Sequence, residues 1–142
     1  MIPTVSILTQ EITETTYPNS TYKIIVRHDP YADPAKAVDR ISGYVDDLES
    51  VKQAIYLILG TERYQFPIYS WDYGVELIDL FGKPMPYVMS ELPRRIKDAL
   101  IQDNRIEDVV DFEFEINGNK LHTTFTVVTN LGNIETELEV TV

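Results

Sequence analysis

Residues 107–142 read EDVVDFEFEINGNKLHTTFTVVTNLGNIETELEVTV. Val110, Phe112, Phe114 and Ile116 alternate with Asp111, Glu113 and Glu115. A period of two is the signature of a strand with one face on a core and the other in water. Asn117-Gly118 is a hairpin turn signal. Thr123, Phe125 and Val127 alternate on the return strand, and Asn130-Leu131-Gly132-Asn133 supplies a second turn. Ile134, Thr136, Leu138, Val140 and Val142 then alternate with Glu135, Glu137, Glu139 and Thr141. The pattern predicts a three-stranded antiparallel meander with one apolar and one acidic face. Its last strand is a candidate edge, with backbone groups free to pair with another chain. The same three glutamates read equally well as protection against such pairing.

Upstream, a helix is expected from about Ser90 to Gln102. Ser90 would cap it, Pro93 would fall in the first turn, and Leu92, Ile96, Ala99 and Leu100 would form its apolar face. Tyr64 to Val75 holds five aromatic residues in twelve, and Pro67 argues for extended chain there. Aromatics are enriched in interface cores; alternatively Phe66, Ile68 and Trp71 are core and only the tyrosines show. A short helix follows at Glu76–Leu80, and Gly82, Pro84 and Pro86 break the pattern again. Another helix is expected over Asp47–Leu59. Asp46 and Glu49 would form its capping box, Leu48, Val51, Ile55, Ile58 and Leu59 its stripe, and Gly60 its stop. Tyr56 and Leu57 would widen that stripe to burial on more than one side. Toward the N-terminus, Ile2–Leu8, Tyr22–Arg27 and Arg40–Val45 read as strands, and His28–Pro34 as a connector.

The chain has 142 residues, 44% of them hydrophobic, so one domain over 1–142 with a real core is expected. Within it, 1–39 reads as an N-terminal strand and extension, 40–106 as a helical core with an aromatic loop, and 107–142 as the meander. The fold class is α+β, about two helices packed on a mostly antiparallel sheet. Net charge is -11, and residues 106–142 hold eight acids against one base, Lys120. That balance argues against nucleic acid and anionic membrane as partners. It suits either a solubilising face or a docking surface for a basic partner. Absence of cysteine excludes disulfides, thiolate catalysis and Cys-ligated zinc. No apolar run reaches the ~18–20 residues of a membrane span. Met1–Gln10 lacks a signal-peptide pattern, so folding in a cytoplasm is expected.

Chemistry-bearing motifs are sparse. His28 and His122 lack a second ligand at metal-binding spacing, and no phosphate loop or nucleophile elbow occurs. No metal or cofactor is expected. Glu62 and Asp72 are the best carboxylate pair for a glycosidase.

Ile58-Leu59-Gly60-Thr61-Glu62-Arg63 is followed by an aromatic series ending Trp71-Asp72-Tyr73-Gly74-Val75-Glu76-Leu77, then Leu92-Pro93-Arg94-Arg95-Ile96-Lys97-Asp98-Ala99-Leu100 and Asn104-Arg105-Ile106. This order resembles the baseplate wedge and sheath-initiator family of contractile phage tails. The likeness spans 40–142 and is nearest the branch of Gram-positive contractile prophages and phage-tail-like bacteriocins. The resemblance implies a structural baseplate protein without catalysis, present in six copies around a six-fold baseplate. It would be assembled in the host cytoplasm and carried in the tail. Its implied partners are the sheath protein, wedge proteins and the tube or hub. A Glu-Pro-Arg motif of the family is Asp103-Asn104-Arg105 here. The resemblance assigns Asp103 and Arg105, with Glu62, Arg63, Trp71, Asp72 and Tyr73, to wedge docking or to fixing the central loop. It assigns Ile134, Thr136, Leu138, Val140 and Val142 to pairing with a sheath strand. Some members carry a lysozyme-like label, which makes a tail-associated muralytic enzyme the alternative.

Overall fold

A computed structural model describes residues 17–25 and 40–142. The expected Ile2–Leu8 strand, the 28–34 connector and the end of the Tyr22–Arg27 strand lie outside the described residues. Strands β1 (Ser20–Ile25) and β2 (Arg40–Asp46) form an antiparallel hairpin. Helix α1 (Asp47–Leu59) follows directly, and a loop with one 3-10 turn (Ile78–Leu80) leads to α2 (Met85–Leu100). The chain ends in β3 (Ile106–Asn117), β4 (Lys120–Thr129) and β5 (Gly132–Thr141), paired antiparallel in the order β3-β4-β5. The α+β architecture and its terminal meander are as the hydrophobic periodicities require.

The core lies between the two helices and one face of the meander. Val51, Ile55, Ile58 and Leu59 from α1 meet Val88, Leu92, Ile96 and Leu100 from α2, over Leu121, Phe125, Val127 and Ile134. Phe125 is fully buried and stacks on Phe112 at 5.3 Å. The β1–β2 hairpin is held to α1 by one amide. Gln53 accepts the Ile24 N–H at 2.9 Å and donates to the Tyr22 carbonyl at 2.7 Å, which satisfies the strand where its register slips.

Local details depart from expectation. Asp46 is extended and makes no side-chain cap, because Asp47 turns the chain at φ 48 and Glu49 pairs with Lys52 instead. Gly60 ends α1 in the right-handed region, not the left-handed one. Tyr56 is exposed, so α1 is buried along one stripe. Helix α2 starts five residues before Ser90. Pro84 and Pro86 open it rather than break it, since the first turn needs no N–H donors. Pro93 is therefore interior, and Ser90 bonds the Tyr87 carbonyl. Packing of Leu92 and Ile96 outweighs the proline penalty of about 3 kcal/mol. In β3 the alternation slips. Asp111 at φ 57 absorbs a bulge, so Val109, not Val110, is buried beside Val127. The residues between β3 and β4 are Gly118 and Asn119, with Gly118 at φ 64, one position later than the signal suggested.

Ion pairs fasten α2 at three points. Arg95 forks onto Asp79 of the 3-10 turn, Lys97 reaches Asp108 of β3 at 2.7 Å, and Asp98 takes Arg63 at 3.0 Å; within the helix Arg94 pairs with Glu91 at 2.8 Å. The hydrogen bond from Arg95 holds the Asp79 carboxyl below its ordinary value, that from Arg94 does so for Glu91, and that from Lys97 for Asp108. A folded value below the unfolded one stabilises the fold at neutral pH. That stabilisation is lost as pH falls through the carboxylate range. Urea titrations should therefore show stability falling in acid, with a shallower acid limb in Asp79→Asn. A second expectation concerns the core: Phe125→Ala should cost about 3–5 kcal/mol in the same assay.

Candidate docking surfaces

Asp103 and Arg105 sit in the short connection between α2 and β3, each only 6% exposed. Arg105 donates to Asp103 in a fork, Nε to Oδ1 at 3.0 Å and Nη2 to Oδ2 at 2.7 Å. Its Nη1 donates to the Pro18 carbonyl at 2.9 Å and to Ser50 Oγ at 3.4 Å. The guanidinium lies 5.7 Å from the Tyr17 ring. Its own backbone joins in: the Arg105 N–H donates to Asp103 Oδ1, and the Arg105 carbonyl accepts from Asn130 in the β4–β5 turn. One residue thus ties the N-terminal approach, α1, the α2 exit and the meander. The side chains of both residues are spent inside the fold.

The aromatic segment is not extended. It is a loop of successive turns closed by a bridge between Glu62 and Val75. Arg63 donates its N–H to Val75, and Val75 donates to Thr61 at 2.9 Å. Gly74 is at φ +97, and a Cβ there would stand 2.6 Å from the Thr61 carbonyl, so only glycine fits. Both oxygens of Glu62 accept the Leu77 N–H, and Oε1 also accepts that of Ile78. The Arg63 side chain donates to the Gly74 carbonyl and to Asp98. Glu62 and Arg63 therefore fix the base of the loop.

The tip is the reverse of a core. Ile68 is 85% and Trp71 80% exposed, Phe66 is also exposed, and Asp72 faces solvent beside them. Tyr73 is the half-buried member and stacks on Tyr69 at 4.6 Å. Burial, with Tyr69, Asp103 and Tyr17 adding in the same direction, pushes its hydroxyl above the usual tyrosine value. Beside the loop lies a cavity of about 290 Å³ between α1 and the end of α2. Its lining includes Tyr17, Leu57, Tyr73, Gln102, Asp103 and Arg105. The structure thus brings Asp72, Tyr73, Asp103 and Arg105 to one cavity, while Trp71 projects nearby.

The two outer strands of the meander differ. β3 has two register shifts, and α2 is fastened to it through Lys97. β5 pairs with β4 over ten residues without a break. Val142 donates its N–H to Asn119. By the alternation of an antiparallel ladder, Ile134, Thr136, Leu138 and Val140 then bond to β4. The backbone groups of Glu135, Glu137 and Glu139 point away from β4, to a side with no strand among the described residues. Sequence reasoning named the first set; the second carries the outward backbone groups. The turn at Asn130-Leu131, which closes Thr129 on Gly132, fixes that parity; the signal at 130–133 marks a turn without saying which pair closes it.

His122 lies opposite Glu139 and Glu115, and its Nε2 is 3.4 Å from Glu137. Among the described residues no group of three or more histidine or acidic side chains converges to hold a metal ion, and no helix is long and apolar enough to cross a membrane.

The described residues thus form a helix-backed three-stranded meander with a separate, turn-built aromatic loop. The sequence profile of the contractile injection system sheath initiators matches residues 20–132. The phage-like element PBSX protein XkdS of Bacillus subtilis (strain 168) is 41% identical over 96 residues, covering 66% of this chain and 68% of XkdS. The chain belongs to the contractile injection system sheath initiator family.

The burial of Arg105 gives a clear expectation. Arg105→Ala leaves Asp103 charged and unpaired in the interior, which costs about 3–5 kcal/mol. Chemical denaturation should show that loss, in place of the normal folding that a surface contact would allow.

Proposed function

We propose that this sheath initiator works without catalysis, as a single domain, by receiving a sheath strand along β5 while its aromatic loop docks on the baseplate wedge. The observation that carries the first part is the unbroken β5 ladder, whose outward backbone donors and acceptors have no strand beside them among the described residues. Such an edge gives affinity through main-chain bonds, and Ile134, Thr136, Leu138, Val140 and Val142 set the register through their side chains. A ring of edges around the tube would template the first ring of sheath.

For docking, the support is contrast within one loop. The base is held by Glu62, Arg63 and Gly74, so Trp71 and Asp72 are presented on a stiff support, with Tyr73 behind them. Exposed aromatics pre-ordered in this way lose little entropy on binding. Asp103 and Arg105 act from inside, as the wall of the adjoining cavity. The name of the relative, a protein of a phage-like element, supports a role in a prophage-type tail. It would be assembled in the host cytoplasm, at six copies per six-fold baseplate. The muralytic alternative loses its best acid, because Glu62 is occupied by backbone N–H groups.

Two chromosomal variants test the two surfaces in a particle-producing strain, imaged by negative-stain electron microscopy. Glu137→Pro removes an N–H that faces the open side and not the β4 ladder. It should give baseplates and tubes without sheath; normal sheathed, contractile particles would refute strand pairing. Trp71→Ala should melt like the wild type yet be missing from purified baseplates. Its normal incorporation would refute docking through the loop.

A further inference from the structure

Ile78 and Phe81 are 62% and 69% exposed, although the turn that carries them is closely held. Glu62 accepts the N–H groups at its start, Arg95 clamps Asp79, and Leu80 between them is fully buried. Two bulky apolar side chains are thus fixed in water. Beside them is the end of β5. Leu77, Ile78 and Phe81 together with Glu139, Val140 and Thr141 line a groove of about 390 Å³.

On the other face of β5 the chemistry is opposite. Glu135, Glu137 and Glu139 share that face with Glu113 and Glu115 of β3. Lys120, its one lysine, pairs with Glu139 at 2.7 Å. Among the described residues Glu135 carries no ion pair.

A strand added to β5 must obey this pattern. Residues directly opposite on neighbouring strands project to the same face. Those opposite Glu135 and Glu137 enter the acidic face, and the one opposite Val140 enters the groove. A second copy of β5 would set glutamate against glutamate, which is unfavourable.

We infer that the strand received by β5 alternates cationic and apolar residues, and that a bulky apolar side chain opposite Val140 seats between the strand end and Ile78 and Phe81. This rests on the proposed pairing at β5, and it adds the chemistry of the partner strand and a pocket that sets its register. The groove fixes position along the edge, because it lies beside Glu139, Val140 and Thr141 at the end of β5. The carboxylates select for lysine or arginine on the alternate positions.

The test uses the full chain and a labelled, terminally blocked peptide of alternating lysine and valine with one central phenylalanine, read by fluorescence anisotropy. The wild type should bind it, and should not bind the same peptide with glutamate for lysine. Ile78→Ser combined with Phe81→Ser, both exposed positions, should weaken binding about tenfold. Replacing the peptide phenylalanine by alanine should weaken binding to the wild type by a similar factor and leave binding to the double variant almost unchanged. Failure of the wild type to bind, or equal binding of the glutamate peptide, overturns the inference. So does wild-type affinity in the double variant. Glu137→Pro separates the two layers. If it abolishes binding while the groove variant binds normally, pairing stands and the groove falls. If it binds like the wild type, pairing at β5 itself falls.

Discussion

Arg105 is the residue on which the rest of the fold turns. A guanidinium removed from water is costly unless every donor finds a partner. Here the fork takes Asp103, one further nitrogen takes Pro18 and Ser50, and the main chain takes Asn130. Those partners belong to four separate parts of the chain. The charge is satisfied when the N-terminal approach, α1 and the α2 exit are in place, and the Arg105 carbonyl, which accepts the Asn130 N–H, adds the β4–β5 turn. The penalty for a missing partner is what makes the arrangement specific.

Around that node the molecule separates stiffness from exposure. The central loop is rigid at its base for backbone reasons: a glycine where a Cβ cannot fit, and a carboxylate that accepts two consecutive N–H groups. Its tip projects Trp71 and Ile68 into solvent. The meander repeats the theme. Its apolar face is closed by helices, one outer strand is bulged and fastened to α2, and the other is straight. A bulge spoils the regular spacing of edge donors and acceptors, so β5 keeps an even row of outward backbone groups and β3 does not.

Much of the architecture was legible because strand periodicity is a short-range property. The order of the three terminal strands and the span of α1 follow from side-chain alternation alone. The beginning of α2 was not legible, because Pro84 and Pro86 look like breakers until the first turn is seen to need no donors. Pro93 inside that helix is tolerated through contacts of Leu92 and Ile96 that are remote in sequence. Burial in the aromatic loop was not legible for a related reason. Trp71 and Ile68 have the composition of core, and the closure of the loop at Glu62 and Val75 turns them outward.

The sequence by itself determined the fold class, the acidic outer face and the membership of the sheath-initiator family, since each is written in local pattern or in residue order. Only the tertiary structure decided that Arg105 faces inward, which strand edge is regular, and that Glu135, Glu137 and Glu139 present their backbone to the open side. These depend on where distant segments meet and on the parity of one turn. A buried charge and a hydrogen-bond direction are settled by three-dimensional closure, which no run of neighbouring residues encodes.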